Sequence, residues 1–144
     1  MKISILISSY NKGAYIDECL QSCLNQTHRD FEIILLCWLP NQMAPIHGHE
    51  GEKCWFKVIS GSLQICNYSI KSLNPLDLKL EEEINATKGY LDGPADIHSI
   101  ENCSNKPVIT LHIYANPYDT CTVYNLKEKR IDKLKMSSTT KSHI

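Results

Sequence analysis

Arginine is nearly missing from this chain: of 144 residues only Arg29 and Arg130 carry a guanidinium. Lysine does not make up a basic surface either, because the formal net charge is -1. A nucleic-acid interface needs many cations facing phosphate, so the charge balance speaks against one. Long apolar runs are also missing. No segment reaches the roughly 18–20 apolar residues of a membrane span. The opening run Ile3–Ser9 is too short for a secretory core, and Tyr10-Asn11-Lys12 follows it at once. There are no internal repeats and no low-complexity linker. Cysteine is not scarce, but its seven copies are odd in number and spread out. That usage suits reduced thiols in a cytoplasmic protein, where the sequons at Asn67, Asn85 and Asn102 have no meaning. The length suits one ordinary domain and is short for two.

Two textures follow one another. Residues 1–35 read strand, turn, helix, strand: Ile3–Ser9 is β-branched and apolar, Asn11-Lys12-Gly13 breaks it, Ala14–Asn25 has helical spacing, and Phe31–Leu36 is apolar again. That is one βαβ unit, which cannot bury both faces alone. After Phe31 the helical pattern stops. Short apolar runs at Cys54–Ile59, Leu63–Tyr68, Tyr90–Leu91, Ile97–Ile100, Val108–Tyr114 and Thr122–Tyr124 alternate with Gly, Pro, Asn and Asp. This predicts a mainly β fold, an antiparallel sandwich or barrel. Glu81-Glu82-Glu83 reads as a solvated stretch, and Met136–Ile144 as a frayed tail.

The chemistry is concentrated in residues 45–61. His47 and His49 stand two apart, so in an extended segment both imidazoles reach one side and can share a metal ion. A third ligand comes from His98 or His112, since His28 lies in the βαβ-like part and His143 in the tail. Alternation puts Thr110, His112 and Tyr114 on one face of an otherwise apolar strand. Buried polar groups need partners, so that face is expected to line a site. Cys54, five residues after His49, is near this centre in an uncommitted role. Three histidines and a cysteine would also suit a closed zinc site. Trp38 and Trp55 read as core.

These spacings resemble the cupin superfamily. His47-x-His49 is followed by Gly61 at the expected distance, with Cys54 where that motif has an acid. His98-x3-Asn102 matches the end of its second motif, although Gly93 and Ala95 replace the Pro-x-Gly before it. Within the cupins the chain resembles the cysteine dioxygenase family, through Leu35-Leu36-Cys37-Trp38, Pro45-Ile46-His47-Gly48-His49, Cys54-Trp55-Phe56-Lys57-Val58, Gly61-Ser62-Leu63, Ile97–Asn102 and Thr110–Pro117. The resemblance implies a cupin-type antiparallel β-barrel or sandwich over residues 31–136. It implies Fe(II) held by His47, His49 and His98, and a thioether between Cys54 and Tyr114. Thr110 and His112 would form a relay to the tyrosine oxygen. The implied substrates are L-cysteine and O2, and the implied product is the sulfinate. A thiol such as 3-mercaptopropionate, or metal binding without turnover, stays open as a second reading. The family's substrate-clamping arginine has no equivalent that can be identified.

Residues 2–35 resemble something else, the first βαβ of a family-2 glycosyltransferase: Lys2–Gly13, Tyr15–Ser22, Asn25-Gln26-Thr27 and Asp30–Ile34. That family's paired aspartates and later Asp-x-Asp are missing, and Leu36-Cys37-Trp38 stands where the first pair belongs. The expected organisation is therefore a glycosyltransferase-like segment at 1–30, a cupin domain at 31–136 and a flexible tail at 137–144.

Overall fold

Along Lys53–Ser60 and Val108–Ala115 buried and less buried side chains alternate, and a strand is the conformation that sorts such a pattern onto two faces. The computed structural model describes residues 4–7, 32–92, 97–115, 120–135 and 142–143. Twelve strands are described: β1 (Ser4–Ile7), β2 (Glu32–Trp38), β3 (Met43–Gly48), β4 (Lys53–Ser60), β5 (Ser62–Leu73), β6 (Leu76–Thr87), β7 (Leu91–Asp92), β8 (Ile97–Glu101), β9 (Val108–Ala115), β10 (Thr120–Asn125), β11 (Arg130–Lys135) and β12 (Ser142–His143). They form two six-stranded sheets, β12-β1-β2-β9-β4-β7 and β11-β10-β3-β8-β5-β6. The expected antiparallel β architecture is therefore present. Among the described residues no helix is long and apolar enough to cross a membrane.

The core lies between the sheets. Trp38, Phe56, Val58 and Val108 come from the first sheet, and Leu63, Ile65, Ala86 and Ile100 from the second. Each large apolar side chain buried there contributes about 1.5–3 kcal/mol relative to exposure. Gly61 marks the corner where the chain leaves the first sheet at β4 and enters the second at β5. Its φ is +84°, and a Cβ would lie 2.7 Å from Val108 Cγ2. A side chain there would be both strained and crowded.

Asn102 fastens the same end of the sandwich. It is fully buried, and its Nδ2 donates to the carbonyls of Trp38 at 3.0 Å and Lys106 at 2.8 Å. Its Oδ1 accepts from Ser104 N at 3.0 Å and Ser104 Oγ at 2.7 Å. One side chain thereby ties the end of β2 to the β8–β9 connection.

Several strands lie outside the expected apolar runs, β6 and β11 among them. β6 runs through Glu81–Glu83, and β11 is charged and exposed. β6 is an edge strand that pairs with β5 along the whole of its length. Leu76, Leu78 and Ala86 are buried, while the three glutamates face solvent. The solvated reading of the charge run holds, and the conformation follows from the hairpin partner. At the front of the chain, Ile5–Ile7 pairs in parallel with Ile33–Leu35, the hand-off a βαβ unit requires. The helix expected at Ala14–Asn25 lies outside the described residues. Ser142 and His143 of the tail pair with β1.

Candidate metal centre

β3 and β8 are antiparallel neighbours, and His47 sits directly opposite His98. β3 bulges between Ala44 and His47, a device that re-aims side chains beside sites. His49 follows the end of β3, in a tight turn where Glu50 and Gly51 take φ +55° and +85° and Glu52 N donates to His49 O at 2.9 Å. Glu50 anchors this turn. Its carboxylate accepts from the Thr122 hydroxyl on β10 and from Lys133 Nζ on β11 at 3.0 Å.

The three rings converge. Centroid separations are 4.7 Å for His47–His98, 4.9 Å for His49–His98 and 5.1 Å for His47–His49. One ligand nitrogen from each lies within 4.8 Å of the others, so a single ion can be shared. His47 Nδ1 donates to Pro45 O at 2.8 Å, which leaves Nε2 as the ligand atom and fixes the ring. Burial lowers the pKa of His47 against a smaller upward pull from Pro45 O, and the neutral imidazole is the form a metal binds. The donor set therefore fits a divalent cation. The thiol of Cys54 is not in the converging group, so the arrangement is not the closed three-histidine, one-cysteine cage of a structural zinc site.

The facing sheet contributes a hydrogen-bonded line. Val108, Thr110, His112 and Tyr114 are all buried on one face of β9. Trp38 Nε1 donates to Thr110 Oγ1 at 2.8 Å, and Thr110 Oγ1 lies 2.8 Å from His112 Nε2. An indole only donates. The threonine oxygen accepts there, and the tautomer of His112 sets which of Thr110 Oγ1 and His112 Nε2 donates to the other. His112 Nδ1 faces the Tyr114 hydroxyl across a long 3.5 Å contact. Phe56 stacks on His112, centroids 5.2 Å apart and 17° between planes. Burial first, then the charges of His49 and His47, push the His112 pKa from 6.5 down to about 3. This imidazole stays neutral. Cys54 on β4 stands in register with Tyr114, and both are buried, at 3% and 5% exposure. A cavity of about 560 Å³ reaches His49, walled by Tyr68, Ile97, Thr122 and Tyr124 among others.

The structure thus brings together every site residue read from the sequence, and it separates the two candidates for third ligand. His98 joins His47 and His49, while His112 belongs to the line ending at Tyr114. Trp38 is core, as expected, but it also supplies the first donor of that line. Phe56 was read as an ordinary apolar residue. Neither role has a local sequence signal, because each arises from strand pairing: Phe56 stands opposite His112 on β9, and Trp38 packs beside Thr110. Of the two arginines, Arg130 is held on the surface by Glu128 at 2.9 Å and Asp132 at 3.0 Å. Arg29 lies outside the described residues.

Comparison with known proteins bears on this geometry. The sequence model of the family described as cysteine dioxygenase type I matches residues 15–127. Cysteine dioxygenase type 1 of Rattus norvegicus is 26% identical over 121 residues, which is 81% of this chain and 60% of the relative. The chain thus spans about 60% of the length of that curated relative. An uncharacterized glycosyltransferase of Nostoc is 47% identical over 36 residues, 25% of this chain and 11% of its own. Among solved structures, a sugar phosphate isomerase of the cupin superfamily from Silicibacter pomeroyi superposes with a TM-score of 0.51 at 12% identity, covering 76% of this chain and 69% of its own. The sandwich is of the cupin type.

Proposed function

The chain belongs to the cysteine dioxygenase type I family, and from that premise we propose that it is a mononuclear, non-haem Fe(II) thiol dioxygenase. It would convert L-cysteine and O2 to cysteine sulfinic acid. The reaction balances as R–SH + O2 → R–SO2H: sulfur is oxidised, dioxygen is reduced, and both oxygen atoms end on sulfur. The observation that carries this reading is the meeting of the three-histidine cluster with the Thr110–His112–Tyr114 line.

His47, His49 and His98 would hold the iron. Bound there by three neutral imidazoles, iron supplies a redox-active cation with open positions for a thiolate and dioxygen. The protein's own groups do the rest. His49, His98, His112 and Tyr114 are buried, which would limit the water that reaches the site. The Tyr114 hydroxyl presents a hydrogen bond donor to the face of the site nearest His49. His112, neutral and locked by Thr110 and Phe56, orients that hydroxyl. Cys54, in register with Tyr114, is placed to form a thioether to the tyrosine ring. That bond replaces one S–H and one ring C–H, and dioxygen takes up the two electrons and two protons.

A reducing, cytoplasmic setting accords with the seven scattered cysteines of the sequence. No nucleic acid or membrane partner is invoked. The domain would span 31–136, with 1–30 as a glycosyltransferase-like extension joined through β1 and 137–144 as a tail. A second reading, a metal-binding cupin without turnover or one acting on another thiol, draws on the arginines: the described one is committed to surface carboxylates. The test is oxygen uptake by the iron-loaded protein with L-cysteine, read together with sulfinate by mass spectrometry. Stoichiometric uptake and product support the enzyme; metal binding with no uptake above buffer leaves the inactive cupin.

A further inference from the structure

Asn67 is a polar residue on the inner face of β5. Leu63 and Ile65 precede it on that face, both buried in the core. Across the strand pair Asn67 stands opposite His98, and His98 in turn stands opposite His47. Asn67, His98 and His47 therefore form one row over three neighbouring strands. Directly opposed residues in antiparallel strands have Cβ atoms about 4.5–5.5 Å apart, so the carboxamide is adjacent to the metal ligands. The pairing shifts immediately afterwards, between Asn67 and Tyr68, where β6 carries Glu81 as an extra residue. Tyr68 turns to a separate cluster with Leu76, Leu78 and Ile97.

The carboxamide oxygen of Asn67 is buried and accepts no hydrogen bond from the protein. A buried acceptor with no protein donor is costly, so an ordered water or a ligand has to supply one. A neutral oxygen acceptor meets an N–H or an O–H; it repels a carboxylate. We propose that Asn67 is a substrate-contacting specificity residue, whose Oδ1 accepts a hydrogen bond from the amino group of a 2-aminothiol bound at the three-histidine centre. The proposal rests on the thiol-dioxygenase reading and narrows its substrate to thiols with an amine two carbons from sulfur, such as cysteamine or L-cysteine. An amine-free thiol such as 3-mercaptopropionate leaves the oxygen without a donor.

The test uses the full chain loaded with Co(II), titrated with cysteamine and with 3-mercaptopropionate. The thiolate-to-cobalt absorption band is the readout, for the wild type and for Asn67→Leu and Asn67→Asp. The wild type should bind cysteamine the more tightly. Asn67→Leu should weaken cysteamine by about tenfold or more and leave 3-mercaptopropionate within about twofold. Asn67→Asp, which keeps an acceptor, should preserve or increase the preference for the amine. Equal effects on both thiols, or no effect, overturn the proposal. So does weakened cobalt affinity in Asn67→Leu with thiol preference intact, which would make the carboxamide a metal ligand. If Asn67→Leu does not fold, loss of the amine preference in Asn67→Asp overturns it. Oxygen uptake by the iron-loaded wild type separates the two levels. Amine preference on cobalt without thiol oxidation on iron removes the dioxygenase reading and keeps the Asn67 contact; oxidation without amine preference does the reverse.

Discussion

His49 and Tyr114 meet edge to face across the gap between the two sheets, their ring centroids 5.8 Å apart. This contact sets the phenol against the metal ligands, and Cys54 stands beside it in register. Tyr114→Phe is therefore expected to keep the fold and the metal stoichiometry while lowering thiol-dependent oxygen uptake by about tenfold or more. The wild type should show a two-hydrogen mass loss in a peptide joining Cys54 to Tyr114, and neither Tyr114→Phe nor Cys54→Ala should show it. Peptide mass spectrometry checks the bond, and metal analysis confirms that the site stays loaded.

Two of the buried histidines, His98 and His112, should respond differently to removal. His98→Ala deletes a ligand and is expected to abolish stoichiometric binding of a divalent cation. His112→Gln leaves the converging group whole, so metal content should persist while oxygen uptake falls. Side-by-side metal analysis and oxygen-electrode traces decide. Equal metal loss in both variants would erase the division between ligand and orienting residue.

Acid should unfold the metal-free protein early. The folded pKa of His112 is about 3 against an ordinary 6.5, and His47 is shifted in the same direction by burial. Below about pH 6.5 the unfolded chain takes up these protons and the folded chain does not, so stability falls with falling pH. The loss is at most about 1.4 kcal/mol per pH unit for each group, and for His112 it continues down to its folded value. Urea midpoints measured between pH 7 and 5 should decline, and His112→Gln should flatten the slope.

Gly61→Ala should destabilise the sandwich by about 1–3 kcal/mol, because the added methyl meets Val108 at a positive φ. Asn102→Ala should cost about as much or more, since it strips partners from the Trp38 and Lys106 carbonyls. Denaturant midpoints read both effects. If Asn102→Ala were neutral, the pin between β2 and the β8–β9 connection would have no energetic weight.

Much of the site was legible because its residues repeat at strand spacing. Thr110, His112 and Tyr114 declare a shared face by alternation alone, and His47 and His49 keep the telling spacing although His49 already lies in the turn after β3. The choice between His98 and His112 was not legible from spacing, since either strand could have lain beside β3. Pairing of β3 with β8 makes that choice. Trp38 and Asn67 escaped for the same reason: the partner of each is far off in sequence and adjacent only in the sheet. β6 escaped because three glutamates in a row look like a loop until β5 is laid against them.

The ligand histidines all sit on or beside β3 and β8, in the second sheet, while Cys54, Thr110, His112 and Tyr114 all sit on β4 and β9, in the first. On the proposed function, holding the ion and orienting the phenol would fall to opposite walls. Substitutions in β4 or β9 should then alter turnover with metal content intact, and substitutions in β3 or β8 should alter metal content first.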